Sequence, residues 1–191
     1  MKITVANIKG GVGKSTLAKI LSQKFNLPIR NLDSYQDPTL FGDIKEATGK
    51  SDSWIADTGG YLGKELKKTI KESDLVIVPT LASVRDIVVT ASFLEWLLPF
   101  YNGKVLIVAN QSNEKEAQEV MEALKEALGN IDYAMVEDIK FASIPRIKSV
   151  RNWDLERANW MDYLKVWNRS QQRAAEHINA FCEELQEWIN R

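Results

Sequence analysis

One short segment near the amino terminus constrains the fold of this chain more than any other feature. It runs from Lys9 to Thr16, reads KGGVGKST, and lies directly after an apolar stretch of strand character and directly before a stretch of helical period. A glycine-rich loop in that setting lets backbone N–H groups and the positive end of a helix dipole surround phosphate oxygens. The segment therefore predicts an α/β fold that begins with a phosphate-binding loop.

The residue types of this loop match what nucleotide binding needs. Glycines let the backbone approach an anion, while Lys14 is placed to reach the β and γ phosphates of ATP, Ser15 to ligate Mg²⁺ and Thr16 to bond the α-phosphate. The standard pattern, G-x-x-x-x-G-K-[ST], opens with a glycine, whereas this chain has Lys9 or Ile8 at that place, so the match is to a variant. The flanking strand and helix disfavour the alternative, a plain glycine-rich turn. The predicted nucleotide contacts of the loop are Gly10, Gly11, Val12, Gly13, Lys14, Ser15 and Thr16.

Apolar runs of strand length alternate with longer stretches of helical period along the chain. This repetition predicts a P-loop NTPase fold over residues 1–191 as a single domain, with a mostly parallel sheet, helices on both faces and ligands at the carboxyl ends of the strands. The predicted strands are Lys2–Ile8, Pro28–Leu32, Trp54–Asp57, Leu75–Pro79 and Val105–Asn110. The predicted helices are Lys14–Phe25, Gly63–Glu72, Val84–Phe100 and Glu114–Leu128, the last capped by Gly129.

Composition excludes several classes of protein. Apolar residues make up 45% and charged residues 27%, which is ordinary for a globular chain. No run approaches the ~20 apolar residues that span a bilayer, and the chain opens with a strand rather than a cleavable leader, which indicates a cytoplasmic protein. The single cysteine, Cys182, is predicted to be a small buried residue, and it excludes disulfide frameworks within the chain.

The spelling K-G-G-x-G-K-[ST]-[ST] resembles the deviant Walker A box of the ParA/MinD ATPases, with Lys9 at the position of its signature lysine. In that family this lysine crosses the interface of an ATP-bound sandwich dimer and contacts the phosphates of the partner. The resemblance therefore implies a homodimer that closes on ATP, and hydrolysis that depends on closure.

The same resemblance gives roles to two aspartates at predicted strand ends. Asp57 ends the strand WIAD and precedes a segment similar to the family's Walker B motif, so it is expected to hold a Mg²⁺-bound water. Asp33 matches the second acid of the family's D-x-D-P-Q, with Asn31 replacing the first, and is expected to orient the attacking water beside the metal. A turn or helix cap remains an alternative for both, and Asp37 is another acid nearby. The expected catalytic set is Lys9, Lys14 and Asp33, and the expected metal set is Ser15, Asp57 and Asp33.

Three later segments extend the resemblance to about residue 146. Asp74–Thr80 is similar to the family's strand and switch after Walker B. Val105–Asn110 is similar to the strand whose final asparagine, here Asn110, contacts the adenine amino edge. Ile144–Arg146 is similar to a turn beside the base, which implies nucleotide contacts from Pro145 and Arg146.

The last third of the chain is locally basic although the net charge is only −1. From Lys140 to Arg173 there are eight bases against three acids, and clustered bases are all that nonspecific DNA binding requires. A solvated basic face is the alternative. The tryptophan stripe of this region is expected in the core rather than on a partner surface. The candidate DNA contacts are Arg151, Arg157, Lys165, Arg169 and Arg173, and the stripe is Trp153, Trp160 and Trp167.

The final helix is predicted to pack through one apolar stripe. From Ala174 onward it carries four glutamates against one arginine, which disfavours binding to anionic lipid. The stripe consists of Ala174, Ile178, Phe181, Leu185 and Trp188.

Together these features predict a short ParA-like partition or positioning ATPase that uses Mg²⁺ and converts ATP to ADP. It is expected to dimerise on ATP, to bind DNA nonspecifically at the nucleoid, and to be stimulated by a ParB-like or other adaptor protein. Two alternatives stay open: a metabolic P-loop ligase or synthetase that activates a small carboxylate, and a MinD-like regulator that cycles on a membrane.

Overall fold

The computed structural model describes residues 1–33, 46–47, 51–129, 139–146 and 169–191, with the side chains of residues 170, 171 and 174 outside that description. Six parallel strands form the centre of the described part. They lie in the order β2-β3-β1-β4-β5-β6, where the numbers follow the chain, and each neighbouring pair is parallel. The strands are β1 (Lys2–Val5), β2 (Ile29–Asn31), β3 (Trp54–Asp57), β4 (Leu75–Thr80), β5 (Lys104–Asn110) and β6 (Ile139–Ile144).

Helices cover both faces of this sheet. Two of them pack on one face and three on the other, with an apolar core on each side. The first pair is α1 (Lys14–Phe25) and α5 (Arg169–Ile189). The second group is α2 (Lys64–Lys71), α3 (Val84–Leu97), which continues as a 3₁₀ turn (Leu98–Phe100), and α4 (Glu114–Leu128). The predicted α/β fold with a parallel sheet and helices on both faces is confirmed.

The strands are apolar throughout because both sides of the sheet are covered. In β4, Leu75 and Ile77 enter the core beneath α1 and α5, whereas Val76 and Val78 enter the core beneath α2, α3 and α4. Side chains of a strand alternate between faces, so a doubly covered strand needs apolar residues at every position. The core on the α5 side also takes in Cys182, and burial raises the pKa of its thiol to about 12, which leaves it protonated and unreactive at neutral pH.

Local sequence explains several helix ends. α1 and α4 have the predicted bounds. α4 starts at a capping box in which Asn113 and Glu116 satisfy each other's backbone N–H groups. Gly129 caps its carboxyl end as predicted. The backbone of Gly129 is in the right-handed helical region, with φ −60°, so this cap does not need the conformational freedom of glycine. On α5, the predicted apolar stripe is buried at all four positions whose side chains are described, Ile178, Phe181, Leu185 and Trp188.

Two strands differ from the prediction by more than one residue at an end. β1 ends at Val5 rather than Ile8: the Ala6 N–H still donates to the Ile77 carbonyl, but at Asn7 it is the side chain that donates to β4. β6 was not predicted as a strand at all, yet it pairs along its whole length with β5. The tryptophan stripe and Asp37 lie outside the described residues.

Candidate functional site

The glycine-rich loop leaves the central strand β1 and ends at the first turn of α1. Gly11 and Gly13 adopt positive φ values of 76° and 93°, which side chains rarely tolerate. A Cβ at Gly10 or Gly11 would meet no atom within 4 Å, so the loop borders open space there. Val12, between Gly11 and Gly13, is fully buried and anchors the loop to the fold. The predicted loop therefore has an anchored base and an open rim, which is the shape that a phosphate cradle requires.

Lys14 is buried at the first residue of α1, with an exposed fraction of only 8%. Its ammonium donates to the Lys9 carbonyl oxygen at 3.0 Å, across the loop. Desolvation by burial lowers the pKa of Lys14; the carboxylates of Asp57 and Asp33 oppose that shift, and the charge of Lys9 adds to it. The structure thus brings the two predicted lysines and the two predicted aspartates into one electrostatic neighbourhood.

Lys9 is tied to the start of α3. Its ammonium lies 3.1 Å from Asp86 Oδ1 and donates to the Gly10 carbonyl at 3.2 Å. Burial of the Asp86 carboxyl opposes ionisation, but hydrogen bonds from Ser83 and Lys9 and the charges of Lys9 and Arg85 outweigh it, so the pKa of Asp86 is lowered. Asp86 is therefore an anion at neutral pH and holds Lys9 within its own chain. Nothing in the sequence pattern pointed to this partner.

The two predicted aspartates meet beside the loop because β2 and β3 are neighbours. Asp57 is fully buried at the end of β3, and the following Thr58 hydroxyl donates to the Val5 carbonyl at 2.9 Å. Asp33 follows β2, where its backbone N–H donates to the Asn31 side chain at 2.9 Å. A Cβ at Gly59 would lie 3.4 Å from Asp33 Oδ1, which places that carboxylate over the turn after β3.

Asn110 ends β5 and reaches the back of the loop. Its side-chain amide donates to the Val12 carbonyl at 2.8 Å, and a Cβ at Gly13 would collide with the same amide nitrogen. The sequence predicted an adenine contact for Asn110, and its amide nitrogen is used instead to brace the loop. Its amide oxygen is the atom suited to accept from an adenine amino group, so that contact stays a prediction.

Two buried side chains that were not predicted as part of the site, Asn7 and Thr90, connect the loop to the neighbouring elements. Asn7, 1% exposed, accepts from the Lys9 backbone N–H at 3.0 Å and donates to the Pro79 carbonyl at 2.9 Å. It also donates to the Thr90 hydroxyl at 2.8 Å. The available signal was a polar amide between the apolar residues Ala6 and Ile8, just before the loop.

The remaining predicted site residues are placed as follows. Ser15 and Thr16 are half-buried in the first turn of α1, and Pro145 and Arg146 follow β6. Arg169 and Arg173 are exposed on α5. The other candidate DNA contacts, Arg151, Arg157 and Lys165, lie outside the described residues.

No set of three or more His, Cys, Asp or Glu side chains that would hold a metal by itself occurs among the described residues. Mg²⁺ in nucleotide sites takes one or two protein oxygens together with phosphate oxygens and water. Ser15 in the first turn of α1 and Asp57 at the end of β3 carry oxygen atoms of that kind beside the loop. In the same described ranges, no helix combines the length and apolar character needed to cross a bilayer.

Comparisons with known proteins give fold matches but no sequence matches. No protein-family model matches the chain, and no curated protein matches it. The solved structure of pNOB8 ParA has a TM-score of 0.64 at 13% identity, covering 98% of this chain and 96% of that protein. A second structure of pNOB8 ParA, bound to nonspecific DNA, has a TM-score of 0.58 at 12% identity and covers 95% and 98%.

Two further matches come from other proteins. MinD from Pyrococcus horikoshii, a septum site-determining protein complexed with Mg-ADP, has a TM-score of 0.61 at 14% identity and covers 96% of this chain and 94% of its own. McdA from Cyanothece has a TM-score of 0.61 at 14% identity and covers 94% and 98%. The resemblance predicted from the loop is thus confirmed for the fold, and this chain has the fold of the ParA, McdA and MinD ATPases.

Proposed function

We propose that this chain is an ATPase of the ParA/MinD type, which binds ATP with Mg²⁺ at Lys9–Thr16 and hydrolyses it to ADP in a positioning or partition cycle. The observation that carries the proposal is the convergence of Lys9, Lys14, Asp33 and Asp57 around one open, glycine-lined loop. A triphosphate needs that combination of backbone donors, fixed cations and metal-binding carboxylates. The matched structures with Mg-ADP and with nonspecific DNA support the same assignment.

Each residue of the site has a role in this proposal. Lys14 exchanges the Lys9 carbonyl for phosphate oxygens, which is favourable because a buried ammonium gains an anionic partner. Ser15 and Asp57 would hold Mg²⁺, which would neutralise phosphate charge when bound. Asp33 orients the attacking water, and Thr16 bonds the α-phosphate. Asn110 offers its amide oxygen to the adenine amino group, while Pro145 and Arg146 flank the base.

Lys9 makes hydrolysis depend on a second copy of the chain. In the single chain its ammonium is occupied by Asp86 and by the loop's own carbonyl. To contact the phosphates of a partner it must leave both, so the lysine contributes to hydrolysis only in the homodimer. An adaptor protein of the ParB kind would stimulate turnover by favouring that arrangement.

DNA binding in the ATP state is the second part of the proposal. Arg169 and Arg173 project from the first part of α5, and the acidic residues of that helix come later along it, from Glu176. Two arginines one turn apart contact phosphates without reading sequence. DNA binding of this kind would associate the protein with the nucleoid.

The experiment uses Asp33→Ala, which lacks the water-orienting carboxylate, with ATP and Mg²⁺. We expect this variant to accumulate as an ATP-bound dimer by sizing chromatography and to retain DNA in a gel-shift assay. The double variant Asp33→Ala/Lys9→Ala is the control and should bind ATP but remain monomeric. If the single variant Asp33→Ala binds ATP yet gives neither dimers nor DNA retention, the positioning cycle is contradicted.

The same variants separate the competing functions. A metabolic ligase or synthetase would need an added small carboxylate for turnover and would keep its activity in Lys9→Ala. A membrane-cycling regulator would sediment with anionic liposomes only when ATP is present.

A further inference from the structure

Lys9 is held at two points by the same helix. Its side chain pairs with Asp86 at 3.1 Å, and its backbone N–H is bound by Asn7, whose own amide donates to Thr90. Asp86 and Thr90 lie four residues apart on α3 and are both buried, so they share the face of the helix that points toward the loop. The first two turns of α3 therefore contact both the side chain of Lys9 and, through Asn7, its backbone.

The hydrogen bonds around Asn7 fix the orientation of its side-chain amide. The Asn7 amide nitrogen donates to the Pro79 carbonyl and to the Thr90 hydroxyl, and the Thr90 hydroxyl donates to the Thr80 hydroxyl at 2.9 Å. An amide whose nitrogen has two acceptors is fixed with its oxygen on the other side. That oxygen accepts from the Lys9 backbone N–H. The Pro79 carbonyl and the Thr90 hydroxyl together therefore determine which end of Asn7 faces the loop.

This arrangement has a consequence for phosphate binding. The N–H of Lys9 donates to Asn7 and is therefore not available to a phosphate. The position of the Lys9 Cα, and with it the reach of the side chain, is set by a hydrogen-bond network of side chains that lie outside the loop.

We propose that Asn7 and Thr90 are positioning residues that hold the backbone of Lys9, and that the start of α3 and the trajectory of Lys9 are coupled through them. The proposal rests on the function proposed above, in which Lys9 acts on the phosphates of a second copy. It assigns to Asn7 and Thr90 an effect on hydrolysis that passes through Lys9 alone.

A structural role is the competing explanation, since the same bonds close the end of β4. Thr90→Val removes the hydroxyl at nearly constant volume, and Thr90→Ser keeps it. Thr4→Val is the matched control, because the Thr4 hydroxyl is also buried, is bonded to Ser73 at 2.7 Å, and does not contact the loop. Thr80→Val removes the hydroxyl that accepts the hydrogen bond from Thr90. It replaces Thr90→Val if that variant does not fold.

The first measurement is hydrogen exchange of the Lys9 amide in ¹⁵N-lysine-labelled, nucleotide-free protein. We expect Thr90→Val to accelerate exchange at Lys9 by about fivefold or more relative to the other lysine amides, because a lost hydrogen bond is worth ~1 kcal/mol. Thr90→Ser and Thr4→Val should leave it within about twofold. Unchanged protection of Lys9 in Thr90→Val would overturn the proposal.

The second measurement is a double-variant cycle on ATP hydrolysis. We expect Thr90→Val to lower kcat by about fivefold with KM nearly unchanged, and to have little further effect in a Lys9→Ala background. If the effects of Thr90→Val and Lys9→Ala on kcat instead multiply in the double variant, Thr90 has a purely structural role and the coupling is overturned. If Lys9→Ala leaves kcat unchanged while ATP still binds, the dimer mechanism is wrong, and the exchange measurement still decides whether Asn7 and Thr90 position Lys9.

Discussion

The two ends of the parallel sheet treat buried polar groups differently. At the amino end, the Thr4 and Ser73 hydroxyls bond each other at 2.7 Å, Ser73 donates to the Thr69 carbonyl, and Tyr101 donates to the Ser73 carbonyl at 3.2 Å. These groups bond one another and complete a closed network. At the carboxyl end, the networks lead instead to Lys9 and to a loop that borders open space.

The buried polar groups at the amino end stabilise the fold, whereas those at the carboxyl end prepare a binding site. A closed network lowers the cost of burying backbone and hydroxyl groups and needs no ligand. The carboxyl end instead keeps an ammonium buried at Lys14, whose desolvation is costly in the folded chain alone. Such a cost is typical of a site that is completed by a ligand.

The largest expected effect is on nucleotide binding by Lys14→Ala. Removing the ammonium deletes charge-assisted contacts worth ~1.5–3 kcal/mol, so we expect ATP to bind about 10-fold to 100-fold more weakly. Thermal stability should fall little, because the buried charge is removed with its desolvation cost. Calorimetric titration checks the first point and thermal unfolding the second. Equal affinity for ATP in wild type and variant would contradict the assignment of the carboxyl end of the sheet as the ATP-binding end.

The next effect is on stability and distinguishes two glycines of the loop. Gly13→Ala places a Cβ at φ 93° and against the Asn110 amide, so we expect it to lower the free energy of unfolding by ~1–3 kcal/mol. Gly10→Ala projects into open space and should change it by less than ~1 kcal/mol. Denaturant unfolding of both variants makes the comparison. A similar loss in both would mean that the left-handed backbone is not what holds the loop.

A smaller effect tests the amino end. Thr4→Val breaks the hydroxyl pair with Ser73, and we expect a loss of ~1 kcal/mol in the free energy of unfolding, as for one neutral hydrogen bond. The affinity for ATP should stay the same, because that network is closed. Chemical unfolding and a nucleotide titration on the same sample give both quantities. Weakened ATP binding in Thr4→Val would show that the two ends are coupled.

The smallest effect is a pH dependence that belongs to the carboxyl end alone. Burial lowers the pKa of Lys14 below the ordinary lysine value of 10.5, so in the free chain its proton is lost at a lower pH than in the unfolded chain. The unfolded state then binds more protons, and Lys14 adds stability as pH rises through that window. Binding of an anionic phosphate requires the charged form, so ATP affinity should fall before pH reaches 10.5. Lys14→Arg, which does not titrate there, should show no such fall.

Much of this architecture follows from local sequence. β3, α1 and α4 have the predicted bounds because an unbroken apolar strand, a helix start at the loop and a capping box are all encoded by adjacent residues. β6 escaped prediction because its sequence, IKFASI, carries the charge of Lys140 and because its alternation of apolar and polar residues is interrupted where Ala142 follows Phe141. β6 forms a strand because it pairs with β5. Pairing between distant segments cannot be predicted from the sequence of either segment alone.

The site divides in the same way. The loop and the two aspartates were predictable because the chemistry fixes residue types at fixed spacing or at strand ends. Asp86 was not, since 76 residues separate Lys9 and Asp86 in the sequence and only the fold brings them within 3.1 Å. The base contact predicted for Asn110 stays a prediction, and the structure adds a bond from its amide nitrogen to the Val12 carbonyl that the sequence did not indicate. Contacts that depend on how one strand end lies against another require the tertiary structure.

Nucleotide binding at this loop is tested by a calorimetric titration of the wild-type chain with ATP in the presence of Mg²⁺, repeated with EDTA. We expect saturable uptake of one ATP per chain, and weaker uptake once the metal is removed. Absence of any ATP uptake with Mg²⁺ present would contradict the claim that the carboxyl end of the sheet is built around a triphosphate.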